Sequence, residues 1–262
     1  MPSPSDPAGH RLPPRVPAPA TGTYGRRTLV VIPALDEEQA LPGVLEELAS
    51  QLPCADILVV DDGSTDGTAA AARKAGVAVA ELPFHVGIGG ALQTGFRYAV
   101  RHGYEGAVQF DADGQHDATQ VRTLLQALEA GADLVIGNRF ADAEDSYDVG
   151  RVRGRAMGVL RVLVRLLSGQ RFVDTSSGFR AFSARMLQYF AKSYPTEYLD
   201  SVESLLLACR AGFRVVEVPV HMRPRTMGSP STRSYKLLYH YLRVIVSMIG
   251  QGAPRAENRL TS

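Results

Sequence analysis

The sequence predicts an α/β fold, a mostly parallel sheet flanked by helices in a single domain, and three observations lead there. Between residues 28 and 138, short β-branched runs alternate with segments of helical period, the pattern of parallel strands joined by helical crossovers. Two acidic clusters, Asp61-Asp62-Gly63-Ser64-Thr65-Asp66-Gly67 and Asp111-Ala112-Asp113-Gly114-Gln115-His116, each begin where an apolar run stops. That places both at carboxyl ends of strands, where open α/β sheets gather ligands. Finally, 262 residues with 45% hydrophobic content suit an ordinary globular core.

Taken in order, the first strand is expected at 29–32, Leu-Val-Val-Ile, with a helix from Glu37. A second strand at 57–60 leads to a helix from Asp66, whose carboxylate is expected to cap the helix ahead of residues 68–74. The third strand falls at 77–82 with a helix from Gly90, the fourth at 107–110 with a helix from Asp117, and the fifth at 134–136. Beyond Asn138 the regularity weakens to a helix around 154–167, a turn-rich stretch at 174–182, a helix near 201–211, a strand at 215–218 and a last helix near 235–249. This second part lacks a strand set of its own, so it is expected to complete the same sheet.

Composition narrows the function classes. A formal net charge of +1 gives no global field of the kind that draws nucleic acid, so nucleic acid is not an expected partner. The two cysteines, Cys54 and Cys209, are too few for a disulfide framework or a zinc site, and a reducing cytosol is the default compartment. Residues 1–27, crowded with Pro and Ala, read as a disordered tail, and 251–262 as a flexible one. The first of these lacks the apolar core of a signal peptide. No stretch approaches the roughly 18–20 apolar residues that span a bilayer, so a soluble or peripheral chain is expected.

The second acidic cluster points to a cation. Strand residues two apart face the same way with about 6–7 Å between Cα atoms, so Asp111 and Asp113 can reach one divalent ion at roughly 2.0–2.1 Å. Mg2+ or Mn2+ bridging a nucleotide diphosphate fits such a pair, whereas a solvated cluster is the plainer alternative. His116, following a strand, reads as a solvated residue more readily than as a ligand.

Five motifs in this order, Pro33-Ala34-Leu35-Asp36-Glu37, the two acidic clusters, Gly137-Asn138-Arg139 and Asp174-Thr175-Ser176-Ser177-Gly178-Phe179-Arg180, resemble the inverting family-2 glycosyltransferases of Rossmann-like GT-A fold. The nearest likeness is to the polyprenol-phosphate sugar synthases of the dolichol-phosphate mannose synthase type, over residues 28–242. The resemblance implies a catalytic domain at 28–250. Pro33, Leu35 and Glu37 would line the base and ribose pocket, with Asp61 and Asp62 on base or ribose. The plainer alternative is that Pro33 ends a strand and Asp61 or Asp62 caps a turn, which Gly63 and Gly67 would suit equally well. Asp111, Asp113 and Gln115 would hold Mg2+ or Mn2+, with Ala112 in the donor site and Asp113 close to the chemistry.

On the acceptor side, Arg139 and Arg153 match arginines that grip a lipid phosphate, and Arg153 lies with Arg151, Arg155, Arg161, Arg165 and Arg171 in a stretch with no acid from 149 to 173. A serine common four residues beyond the second arginine is Met157 here, and His85 stands in the Gly-rich turn Phe84-His85-Val86-Gly87-Ile88-Gly89-Gly90 where the family usually has Asn. Arg225 and Lys236 would lie on a loop closing over the donor phosphates. Leu238, Tyr241, Leu242, Ile245 and Ile249 form a stripe at helical spacing that suits either a core or a membrane interface.

The implied reaction moves a sugar from a GDP- or UDP-linked donor to polyprenyl phosphate, at the cytoplasmic, inner face of the cell membrane. A small integral membrane subunit is an implied possible partner. A phosphate acceptor is already anionic and needs no base. Were the acceptor a hydroxyl, Asp174 is the remaining carboxylate for that task, although a turn-capping role suits it as well. A hydroxyl acceptor and an inactive nucleotide-sugar-binding module stay open as alternatives.

Overall fold

A computed structural model describes residues 27–140, 151–195 and 200–223, with residues 151–157 and 200 by their backbone. Seven strands form one sheet in the order β3-β2-β1-β4-β6-β5-β7. Of these, β1 (Thr28–Ala34), β2 (Asp56–Asp61), β3 (Ala78–Glu81) and β4 (Gly106–Gln109) are parallel neighbours across β1 and β2, as are β5 (Leu134–Asn138) and β7 (Val215–Pro219). The strand β6 (Arg180–Ser183) runs antiparallel between β4 and β5.

Both faces of the sheet are covered, which is why β1 is apolar at nearly every position. Leu29 and Val31 join Leu92 and Phe96 of α3 (Ile88–Arg101) and Phe190 of α6 (Ala184–Ser193). The alternate residues Val30 and Ile32 join Leu41 and Leu45 of α1 (Leu41–Gln51) and Leu124 of α4 (Val121–Glu129) on the opposite face. Phe96 lies 4.7 Å from Phe182 and 6.1 Å from Phe190, ring centre to ring centre. Each such buried ring contributes about 1.5–3 kcal/mol.

The expected alternation of strand and helix holds through β5, with shifted helix starts. Helix α1 begins at Leu41 rather than Glu37, because residues 36–38 are bonded to residues 64–68 instead: Asp36 N–H donates to Ser64 Oγ, Glu37 N–H to Thr68 Oγ1 and Glu38 N–H to Asp66 Oδ2. Pro42 then sits in the first turn, where its missing N–H costs nothing. Asp66 accepts the N–H of Thr68, the first residue of α2 (Thr68–Lys74), close to the expected cap.

The stretch expected as turns at 174–182 ends in β6, and α6 follows directly. The signal for α6 was legible: Ser183 accepts the N–H of Met186, and Met186, Leu187, Phe190 and Ala191 are buried at helical spacing. The strand β6 is only four residues and carries Arg180, so its pairing on both edges, not its composition, makes it a strand. As expected, the second part completes the sheet, through β6 and β7. Helices α5 (Arg151–Ser168) and α7 (Asp200–Arg210) pack together. No described helix is long and apolar enough to cross a membrane. The expected tails, apart from Arg27, and the expected helix near 235–249 lie outside the described residues.

Candidate active site

The segments that follow β1, β2 and β4 converge with the start of α3 at the carboxyl ends of those strands. A cleft there is lined by Pro33, Leu35 and Glu37 after β1, by Asp62 after β2, by Ile88 of α3, and by Asp111, Ala112 and Asp113 after β4. Eight of the residues singled out from sequence therefore fall in or beside one depression, Asp61 being the neighbour of Asp62.

The two aspartates of the first cluster are buried and already engaged. Asp61 accepts from the backbone N–H and hydroxyl of Ser64. Asp62 accepts the N–H groups of Val86 at 2.7 Å and Gly87 at 2.9 Å, and its Oδ2 lies 2.7 Å from His85 Nδ1. Asp62 thus pins the Gly-rich turn to the end of β2, and His85 supplies a side-chain contact to the same carboxylate. Gly63 permits this approach: a Cβ there would stand 2.8 Å from His85 N, at a φ of +78°.

Asp111 and Asp113 share the cleft, but not through a strand pleat. Strand β4 ends at Gln109, and residues 111–114 form a turn with Gly114 at φ 76°. Asp111 keeps a partly exposed side chain (31%). Its Oδ1 lies 3.4 Å from Gln109 Nε2, and its Oδ2 3.4 Å from His116 Nε2. These long contacts leave the carboxylate's lone pairs available to a cation. Asp113 Oδ1 accepts the N–H of Gln115 at 3.0 Å. Gln115 is not among the cleft-lining residues, and its carbonyl accepts the N–H of Arg223.

Among the described residues no group of three or more His, Cys, Asp or Glu could hold a metal by itself. Two carboxylates nevertheless fit Mg2+ or Mn2+, ions that retain waters and substrate phosphates alongside one or two carboxylates.

His116 is buried, contrary to the expected solvated position. Burial pushes its imidazole below the ordinary value, outweighing the opposing pull of Asp111 and Asp113, so it is neutral at pH 7.

Arg139 follows β5 and forms a fork on Asp174, with Nε 2.6 Å from Oδ2 and Nη2 2.8 Å from Oδ1. Nη2 also donates to Ser176 Oγ. Asp174 is fully enclosed (0% exposed). Burial alone would raise its carboxyl, but the hydrogen bonds and charge of Arg139 bring it below the usual carboxylate range. Glu217 of β7, a lone acid in Val-Val-Glu-Val-Pro, accepts the N–H groups of Val173 and Asp174 and so fixes the turn. Buried Arg180 ties the same turn to α7 through Ser177 O and Ser204 Oγ. At the far end of the turn, a Cβ on Gly178 would lie 3.1 Å from Asp111 Oδ2. The Arg139 site and the Asp111 site are therefore contiguous across five residues. The side chain of Arg153, and all of Arg225 and Lys236, lie outside the described residues.

Residues 29–191 match the profile described as Glycosyl transferase family 2. The chain belongs to glycosyltransferase family 2. Among curated family-2 relatives, the polyprenol monophosphomannose synthase of Mycolicibacterium smegmatis is 34% identical over 218 residues, covering 80% of this chain and 82% of the relative. The undecaprenyl-phosphate mannosyltransferase of Micrococcus luteus is 33% identical over 216 residues, covering 77% and 86%. Among solved structures, glucosyl-3-phosphoglycerate synthase from Mycobacterium tuberculosis, crystallised with Mn2+, UDP and phosphoglyceric acid, aligns with a TM-score of 0.66 at 22% identity, over 91% of this chain and 83% of that one. The fold of this family-2 enzyme is accordingly the GT-A type. Gln109, Glu217 and the roles of His85, His116 and Gly178 were missed from sequence. A single polar residue inside an apolar strand was the available signal for Gln109 and Glu217.

Proposed function

We propose that this glycosyltransferase moves a hexose from a GDP- or UDP-linked donor to polyprenyl phosphate, with inversion and with Mg2+ or Mn2+ held by Asp111 and Asp113. The observation that carries this reading is the shared cleft, which sets those two carboxylates against the loop of Pro33, Leu35 and Glu37. A divalent cation there would stabilise the negative charge on the departing nucleoside diphosphate. The pocket after β1 would hold base and ribose, with Asp62 shaping its wall through the Gly-rich turn.

Arg139 would meet the acceptor phosphate, its guanidinium held in place by Asp174 and Ser176. The acceptor phosphate brings its own negative charge, so no residue need remove a proton from it. That agrees with Asp174 being consumed by an ion pair and closed to solvent, a poor arrangement for a base. The names of the 33–34% identical relatives support a lipid-phosphate acceptor. So does α5, which leaves Val159, Val162 and Leu166 exposed, with Arg165 beside them. Such a basic, apolar face suits the surface of an anionic membrane at its inner, cytoplasmic side.

The test follows labelled sugar from the donor into product. Label in a mild-acid-labile lipid phosphate supports the reading, and label in an acid-stable glycoside would replace it with a hydroxyl acceptor.

A further inference from the structure

His116 has no place in the chemistry assigned above, yet its setting is the most constrained in the site. Its side chain is closed to solvent. Phe179 stacks on the ring at 4.6 Å and 22°, and Phe110 meets it edge-on at 5.3 Å and 88°. Two aromatic neighbours of this geometry fix the plane of the imidazole as well as fill space. Nδ1 accepts the backbone N–H of Asp111 at 3.0 Å. A ring nitrogen that accepts an N–H carries no proton itself, so the ring proton sits on Nε2. Among the described residues that buried nitrogen makes no hydrogen bond, and the Asp111 carboxylate stands 3.4 Å away as its electrostatic neighbour. An aliphatic or phenyl side chain would fill the same box without stranding a donor, which is costly in a closed site. The imidazole is explained if its acceptor nitrogen serves the Asp111 N–H while Nε2–H stands beside the same residue's carboxylate.

We propose that His116 is a positioning residue: it anchors the backbone of Asp111 through Nδ1 and keeps Nε2–H as a polar neighbour of its carboxylate, so that the carboxylate faces the cleft. This rests on Asp111 being a metal ligand. Partners that orient a ligand in this way typically contribute about 10–100-fold to metal affinity.

The test titrates Mn2+ into the full chain in the presence of UDP and, separately, GDP, with free Mn2+ read by electron paramagnetic resonance. His116→Phe keeps an aromatic ring and removes both nitrogens, whereas His116→Asn restores an acceptor for the Asp111 N–H. The Phe variant is expected to bind Mn2+ about 10–100-fold more weakly, and the Asn variant to recover part of that loss. Binding by His116→Phe within about twofold of the parent, too small for an orienting partner, overturns the proposal. So does an Asn variant no better than Phe. If His116→Phe does not fold, His116→Met takes its place with the same two outcomes. Long-range proton–nitrogen NMR on the metal-free chain gives a readout that packing alone would not set, and a proton on Nδ1 instead of Nε2 overturns the proposal. A parent that binds no Mn2+ removes the metal reading and this proposal together; a parent that binds, with variants unaffected, removes the proposal alone.

Discussion

Replacing Asp174 by Asn should destabilise the fold strongly at neutral pH and hardly at all in acid. The side chain is 0% exposed, and Arg139, itself only 12% exposed, spends two guanidinium nitrogens on it. Asn keeps the shape, turns an amide N–H₂ or a weaker acceptor toward the guanidinium, and removes the enclosed negative charge that the guanidinium forks onto. Breaking one side of a buried pair costs about 3–5 kcal/mol. For a domain of roughly 150–250 residues, each kcal/mol lowers the melting midpoint by about 2–4 °C, so a drop of about 6–20 °C is expected. The sign with pH follows from the depressed carboxyl of Asp174. Its stabilisation is complete above the unfolded carboxylate value of about 3.9 and is lost as pH falls through the lower folded value. Urea unfolding followed by circular dichroism at pH 7 and at low pH measures both effects. A gap below about 1 kcal/mol at pH 7, where buried pairs are worth several, refutes the reasoning. A gap that does not shrink in acid refutes it too.

Asp113→Asn should lower sugar transfer by at least about 100-fold, the scale seen when a group stabilising developing charge is removed, with the circular dichroism spectrum unchanged; near-parental rates remove Asp113 from the site. Gly178→Ala would press a methyl group to 3.1 Å from both Asp111 Oδ2 and Gln109 Nε2, so it should weaken Mn2+ binding measurably while nucleotide binding without metal persists. Burial pushes the Cys209 thiol up to about 11, and Cys54 is exposed. A disulfide reagent at pH 8 should therefore titrate Cys54 quickly and Cys209 only on unfolding.

The sequence revealed the parallel half of the sheet because its strands announce themselves as apolar runs: Leu-Val-Val-Ile in β1 and Leu-Val-Val after half-buried Ile57 in β2 are buried on both faces and leave little room for another reading. It concealed β6, where Arg-Ala-Phe-Ser becomes a strand only because β4 and β5 flank it. The acidic clusters were legible as residues that meet in a crevice. What each carboxylate does there was not, since Asp62 turned out to be bonded to residues 85–87 and Asp174 to Arg139, partners more than twenty positions away in the chain. His116 shows the same limit from the other side. Nothing local in Gly-Gln-His-Asp distinguishes a solvated histidine from one enclosed by Phe110 and Phe179.

Metal-dependent transfer onto a lipid phosphate can be decided with the purified chain stripped of divalent ions and given labelled GDP- and UDP-hexoses with polyprenyl phosphate. Label should enter the lipid only when Mg2+ or Mn2+ is restored, and not in Asp113→Asn. Lipid labelling that proceeds equally well in excess chelator, or none with any donor after metal is restored, would contradict it.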